Sequence, residues 1–206
     1  MRELEFLRSD APPDRCFVCG NPKVLQRKRV VEAPQGDAMA WRLAHELPEP
    51  GAAVFYTEPA PYWEPAEGKF IVHYAKVVVD SFASGEGWDA MVGLPVEIAP
   101  LVQPTGLWVG NVFSGVVTKA GAPVPFAEIE VEFVNDGSIT APSDAYITQV
   151  IKADANGTFS YAMPFAGWWG FAALIEGDQP MTAPDGRAVP VEEGALIWVN
   201  AKAPVR

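Results

Sequence analysis

Apolar and polar residues alternate with period two along most of this chain, and there is almost no signal of the 3.6-residue period of an amphipathic helix. The stretch "AEIEVEF" is the clearest case. Ile129, Val131 and Phe133 share one side and Glu128, Glu130 and Glu132 the other, because successive side chains on a strand point to opposite faces. The same pattern predicts strands over Met39–Leu47, Ala53–Thr57, Phe70–Asp80, Leu94–Leu101, Trp108–Thr118, Tyr146–Lys152, Thr158–Met163, Gly167–Ile175 and Ala195–Ala201. Turn signals separate them at Pro48–Gly51, Gly85–Gly87, Ala120–Gly121, Asp136–Gly137, Asn156–Gly157 and Asp185–Gly186. Asn156–Gly157 lies between two strand-like runs and reads as the two-residue turn of a hairpin. With Asp154 it also echoes part of a calcium loop, but the helix-flanked loop with its terminal Glu is missing. Strands at this spacing without helices between them indicate antiparallel sandwiches or a barrel.

A short link, "LVQPTG", precedes a fresh run of strands. The expected organisation is therefore all-β, with two antiparallel β-sandwich units. Residues 24–103 form a first unit whose few strands make it an incomplete sandwich. Residues 104–206 form a second unit with its own aromatic core candidates: Trp108, Phe133, Phe159, Trp168, Trp169 and Trp198. Residues 1–23 show no clear periodicity. In "FAGWWGFAAL" alternation sends the two adjacent tryptophans to opposite faces, one into the core and one outward or to the domain junction.

Composition narrows the function classes. A chain of 206 residues, 49% hydrophobic and 20% charged, can bury a sizeable core. Its net charge of −11 argues against nucleic acid and anionic membranes as partners, because phosphate binding needs a basic surface. No run reaches the roughly 18 apolar residues of a membrane-crossing helix, and "MRELEFLRSD" has no signal-peptide apolar stretch.

Candidate chemistry is sparse. The two cysteines, Cys16 and Cys19, form a CxxC, but a closed zinc site needs four ligands and there is no second CxxC. A disulfide or two free thiols is the simpler state. His73 shares a strand face with Ile71, Ala75, Val77 and Val79, and His45 shares one with Trp41, Leu43 and Leu47. Two neutral imidazoles with Glu58, Glu64 or Glu67 could ligate a divalent transition metal; the structural alternative is a pair of core histidines bonded to backbone or a carboxylate. The loop "TEPAPYWEPAEG" combines aromatics and carboxylates as a cation or sugar platform would, yet four prolines also make it a rigid cover. The Glu128, Glu130 and Glu132 ladder reads as a solvated face, since carboxylates about 6–7 Å apart need help from neighbouring strands to share a metal. Signatures of catalysis are absent: "HELPE" has Glu49 where a zincin has its second histidine, and there is no GxSxG or P-loop.

Taken together, "EPAPYWEPAEGKFIVHYAKVVVD", "GWDAMVGLPVEIAPL", "GLWVGNVFSGVV", "GAPVPFAEIEVEF", "TQVIKADANGTFSYAMPFAGWWGFAAL" and "EEGALIWV" resemble a family of secreted bacterial all-β proteins. That family is catalogued as a domain of unknown function and described as the periplasmic component of a cobalt or nickel transport system of the ABC or ECF type. The C-terminal part also resembles prealbumin-like, carboxypeptidase-regulatory sandwiches with Greek-key topology. The resemblance implies a periplasmic or otherwise extracytoplasmic accessory protein, non-catalytic, with a membrane metal transporter as partner and no insertion of its own into the membrane. It implies a nickel or cobalt ion and a pattern of which His73 is retained here; joined to the strand reading above, the expected ligands are His73 first and His45 second, with Glu58, Glu64 and Glu67 as carboxylates. Members of the family begin with a signal peptide and a histidine-containing first strand, and residues 1–23 here do not match, so a truncated or divergent front end is expected. The rival reading is a structural or adhesive sandwich that binds a protein or glycan without metal.

Overall fold

The computed structural model describes the backbone of residues 2–7, 13–18, 21–23, 26–33 and 36–44, and backbone with side chains for 45–47 and 49–205. Five strands open the chain: β1 (Arg2–Leu7), β2 (Pro13–Val18), β3 (Asn21–Lys23), β4 (Gln26–Ala33) and β5 (Gly36–His45). The next five are β6 (Gly51–Pro59), β7 (Tyr62–Glu64), β8 (Lys69–Ser81), β9 (Val96–Pro100) and β10 (Leu107–Trp108). Then follow β11 (Val112–Lys119), β12 (Ala122–Pro123), β13 (Glu128–Phe133), β14 (Thr148–Lys152) and β15 (Thr158–Ala162). The last four are β16 (Gly167–Glu176), β17 (Met181–Thr182), β18 (Ala188–Val189) and β19 (Val191–Lys202). Among the described residues the one helical element is a 3-10 turn, Asp144–Tyr146.

The fold is all-β, as the alternation implies. Its main body is a large sheet in the order β14-β13-β16-β19-β8-β6-β2-β3. The half around β13, β16 and β19 is faced by a smaller sheet in which β11 pairs with β9, β12 and β15. Ile129, Val131, Trp169, Phe171, Ala173, Ile197 and Val199 from one sheet meet Val96, Ile98, Phe113, Val117 and Phe159 from the other. Each large side chain so buried stabilises the fold by about 1.5–3 kcal/mol. Tilted ring pairs reinforce the packing, with Phe113 centred 4.8 Å from Phe171 and Phe133 5.1 Å from Trp169. The indole N–H of Trp169 donates to the Phe165 carbonyl at 3.0 Å, so the largest core side chain carries no orphan donor. Separately, β1, β5 and β4 form an antiparallel sheet.

Three features depart from the sequence reading. Asn156–Gly157 is a turn but not a hairpin: β14 pairs with β13 in the large sheet, whereas β15 pairs with β11 in the small one. The Asp154 carboxylate accepts the N–H groups of Asn156 (2.8 Å) and Thr158 (2.9 Å), which turns the chain from one sheet to the other. Gly157, at φ +75°, packs so tightly that a Cβ would fall 2.9 Å from the Val117 carbonyl. Trp108–Thr118, expected as one strand, is two. The loop Thr57–Gly68 is itself largely paired, since β7 lies against β8 and the Gly68 N–H donates to the Glu64 carbonyl at 2.9 Å.

The fourth surprise is the seam of the large sheet. β8 and β19 run parallel, in register from Phe70↔Val191 to Val77↔Trp198. Parallel neighbours need a crossover, and here the crossover is the chain that builds most of the sandwich. The large sheet thus continues from strands before residue 103 to strands after it, and β9 contributes Val96 and Ile98 to the core of the later strands.

Candidate functional site

Pairing fixes what lies together on the outer face of the large sheet, the one turned away from the small sheet. Paired residues of adjacent strands point the same way. One row runs Glu128, Leu174, Gly194, His73, and the next runs Glu130, Ala172, Leu196, Ala75. Expectation and structure part here. The face His73 shares with Ile71, Ala75, Val77 and Val79 is the outer one, and the His73 side chain is 38% exposed.

His73 lies flat across its neighbour strand. A Cβ at position 194 would fall within 3.0 Å of Cδ2, Nε2 and Cγ of the imidazole, so the ring rests where only glycine leaves room. Its Nε2 is 3.4 Å from Oε1 of Glu192. The other oxygen of Glu192 holds Lys69 Nζ at 2.5 Å, and Lys69 also meets Glu67 at 2.6 Å. The hydrogen bonds that Lys69 donates, to Glu192 first and then to Glu67, raise its pKa above the ordinary value. The Glu ladder closes the other side. Partial burial first, then the charges of Glu132 and Glu192, raise the Glu130 carboxyl above its ordinary value, and His73 pulls it back. The outer face therefore carries an imidazole within the field of several carboxylates, with one lysine offsetting them.

The remaining predicted ligands are dispersed. The His45 ring packs edge-on against Phe55, with centroids 5.9 Å apart. Phe55 pairs with Val77, four residues and about 13 Å along the strand from His73. Glu58 alternates to the opposite face from Thr57, which pairs with Ala75, and its charge acts on Tyr74 instead. Glu64 Oε1 accepts the Ala66 N–H at 3.0 Å and shapes the β7–β8 turn. Glu67 alone is linked to His73, through Lys69 and Glu192. The side chains of Cys16 and Cys19 lie outside the described residues. Among the described residues, no three His, Cys, Asp or Glu side chains are grouped closely enough to hold a metal ion.

The alternation reading passed over a buried ion pair. On the inner side of β8, Lys76 Nζ lies 2.6 Å from Glu97 Oε1 of β9, and both side chains are 1% exposed. The same carboxylate accepts the N–H groups of Val92 (3.1 Å), Gly93 (3.0 Å) and Leu94 (3.3 Å), clamping the segment before β9. Desolvation lowers the Lys76 pKa, with Glu97 opposing it. The sequence signal was a lysine in phase with Phe70, Val72, Tyr74 and Val78 on an apolar strand.

Residues 11–177 match the family model of a domain of unknown function, DUF4198. No curated protein and no solved structure matches the chain.

Proposed function

The chain belongs to the DUF4198 family, a domain of unknown function, and on that premise we propose that it is a non-catalytic, extracytoplasmic binding protein associated with nickel or cobalt uptake. A divalent ion would meet His73 Nε2 and Glu192 Oε1 on the carboxylate-rich outer face, with water completing its shell. A membrane transporter component would be the partner that receives it. We read the C-terminal sandwich in the same proposal as prealbumin-like.

One observation carries this reading: the His73 imidazole is laid over Gly194, 3.4 Å from a carboxylate oxygen and within the field of Glu130. Imidazole suits nickel and cobalt, and two protein ligands on an open face make a site that can both load and release. The net charge of −11 favours the approach of cations.

The test is thermal unfolding with and without Ni²⁺ or Co²⁺. Both ions should raise the melting temperature, because a ligand that binds only the folded state stabilises it, and His73→Ala should abolish the rise. No shift at millimolar metal would sink the proposal.

A further inference from the structure

The segment between β8 and β9 places a methionine against the buried ion pair. Residues 82–95 form no strand, and their last part is held by Glu97. Its Oε1 accepts from Lys76 and Val92, and its Oε2 from Gly93 and Leu94. Both carboxylate oxygens are thus well supplied with donors. The ammonium is less well served. It has three hydrogens to donate, yet among the described residues it meets Glu97 Oε1 at 2.6 Å and the Met91 thioether sulfur at 4.0 Å. A thioether is a weak acceptor, and a Lys76 side chain 1% exposed gives bulk water little access. Desolvation lowers the Lys76 pKa against the pull of Glu97, as it does for an ammonium short of acceptors.

Met91 itself reaches solvent. It is 44% exposed, whereas Met163 is 0% exposed and Met181 packs against the cluster of Phe70, Val72 and Val191. Oxidation of methionine follows such access. A peroxide transfers one oxygen to the thioether: the sulfur gives up two electrons and forms an S–O bond, the O–O bond breaks, and the second oxygen leaves as water. The sulfoxide oxygen is a much stronger acceptor than the thioether. On a sulfur 4.0 Å from Nζ, an oxygen pointing inward falls at hydrogen-bonding distance from the ammonium. We infer that Met91 is a site of oxidation by peroxides, and that its sulfoxide accepts a hydrogen bond from Lys76 and fastens the β8–β9 segment to the ion pair. Oxidation inside a core disrupts packing; here it supplies an acceptor that the ion pair lacks. The oxidised sulfur is chiral, so the contact selects one epimer. None of the His73 groups takes part, and the inference stands or falls apart from the metal proposal.

The test compares the full chain before and after treatment with hydrogen peroxide. Peptide mapping locates the added oxygen, and urea unfolding reads stability. Met91 should gain oxygen before Met163 and Met181. The oxidised chain should have a folding equilibrium constant at least about tenfold larger, the effect of one hydrogen bond to a charged group, and Met91→Leu should show no such rise. Met91→Gln places a carboxamide oxygen there without oxidation, so it should be more stable than Met91→Leu, and peroxide should add nothing to it. Both variants keep Lys76 and Glu97, and circular dichroism checks that they fold; if either does not, the oxidised parent decides the matter. Oxidation of Met163 or Met181 ahead of Met91 would overturn the inference. So would a stability that oxidation of Met91 leaves unchanged or lowers, or a folded Met91→Gln no more stable than Met91→Leu.

Discussion

The buried Lys76–Glu97 pair allows the most quantitative prediction. Replacing Lys76 with Met keeps most of the volume and leaves the Glu97 carboxylate facing the N–H groups of Val92, Gly93 and Leu94. Breaking a buried pair by removing one partner costs about 3–5 kcal/mol, and with three donors still bound Lys76→Met should sit near the lower figure. Glu97→Leu strands a buried ammonium and three amide donors together, so its cost should exceed about 5 kcal/mol. That is comparable with the whole stability of many domains. The double variant removes the stranded ammonium and should recover at least about 2 kcal/mol relative to the sum of the single changes. Urea unfolding at neutral pH, followed by tryptophan fluorescence, measures all three. If Lys76→Met is as damaging as Glu97→Leu, or if the two changes simply add, the clamp described here is wrong. A pH dependence follows as well. Because the folded Lys76 pKa is lowered from 10.5, chiefly by desolvation, the unfolded chain binds more protons between the two values. Stability from this group rises with pH through that window, and Lys76→Met should remove the rise.

Three further outcomes are expected. Gly194→Ala should displace the His73 ring, because its Cβ would crowd Cδ2 and Nε2 of the imidazole, cost about 1–3 kcal/mol in urea unfolding, and weaken the metal-induced melting shift. Gly157→Ala should cost more than about 1 kcal/mol, because it adds a Cβ at φ +75° against the Val117 and Val124 backbone; a neutral result would mean that the crossover turn is not held as described. Glu130→Gln should raise the urea midpoint at neutral pH. The folded carboxyl titrates above the unfolded value of 4.5, so the parent loses stability as pH rises through that interval, and the variant's advantage should vanish below it.

Period-two alternation is enough to identify the strands of the sandwich, because the strands that carry Ile129, Val131, Trp169 and Phe171 bury these residues on one face and leave the other more exposed. It also separated Trp168 from Trp169. Alternation failed where both sides of a strand are partly covered. On β8 alternation separates two residue sets without saying which faces the small sheet, and the apolar set that holds His73 is the outer one. Local sequence also says nothing of pairing between distant strands. Asn156–Gly157 has the chemistry of a hairpin, yet the partners of β14 and β15 are chosen by the two sheets. The neighbours of His73 were hidden for the same reason: Glu192 is 119 residues away in sequence and Glu130 belongs to a third strand. Of the predicted carboxylates, Glu67 alone reaches that cluster, because the β7–β8 turn carries it back beside Lys69.

The parallel seam between β8 and β19 has a consequence for the time at which the molecule can close. β8 is complete once Ser81 is made, but the strand that occupies its second edge begins at Val191, about a hundred residues later. At about 5–20 residues per second, a polymerising chain holds that edge open for several seconds or more, with Phe70, Val72 and Val77 beside it. An unpaired strand edge is a template for other chains. The growing chain therefore passes through an interval in which its own C-terminal strand competes with every neighbouring edge for the same hydrogen bonds.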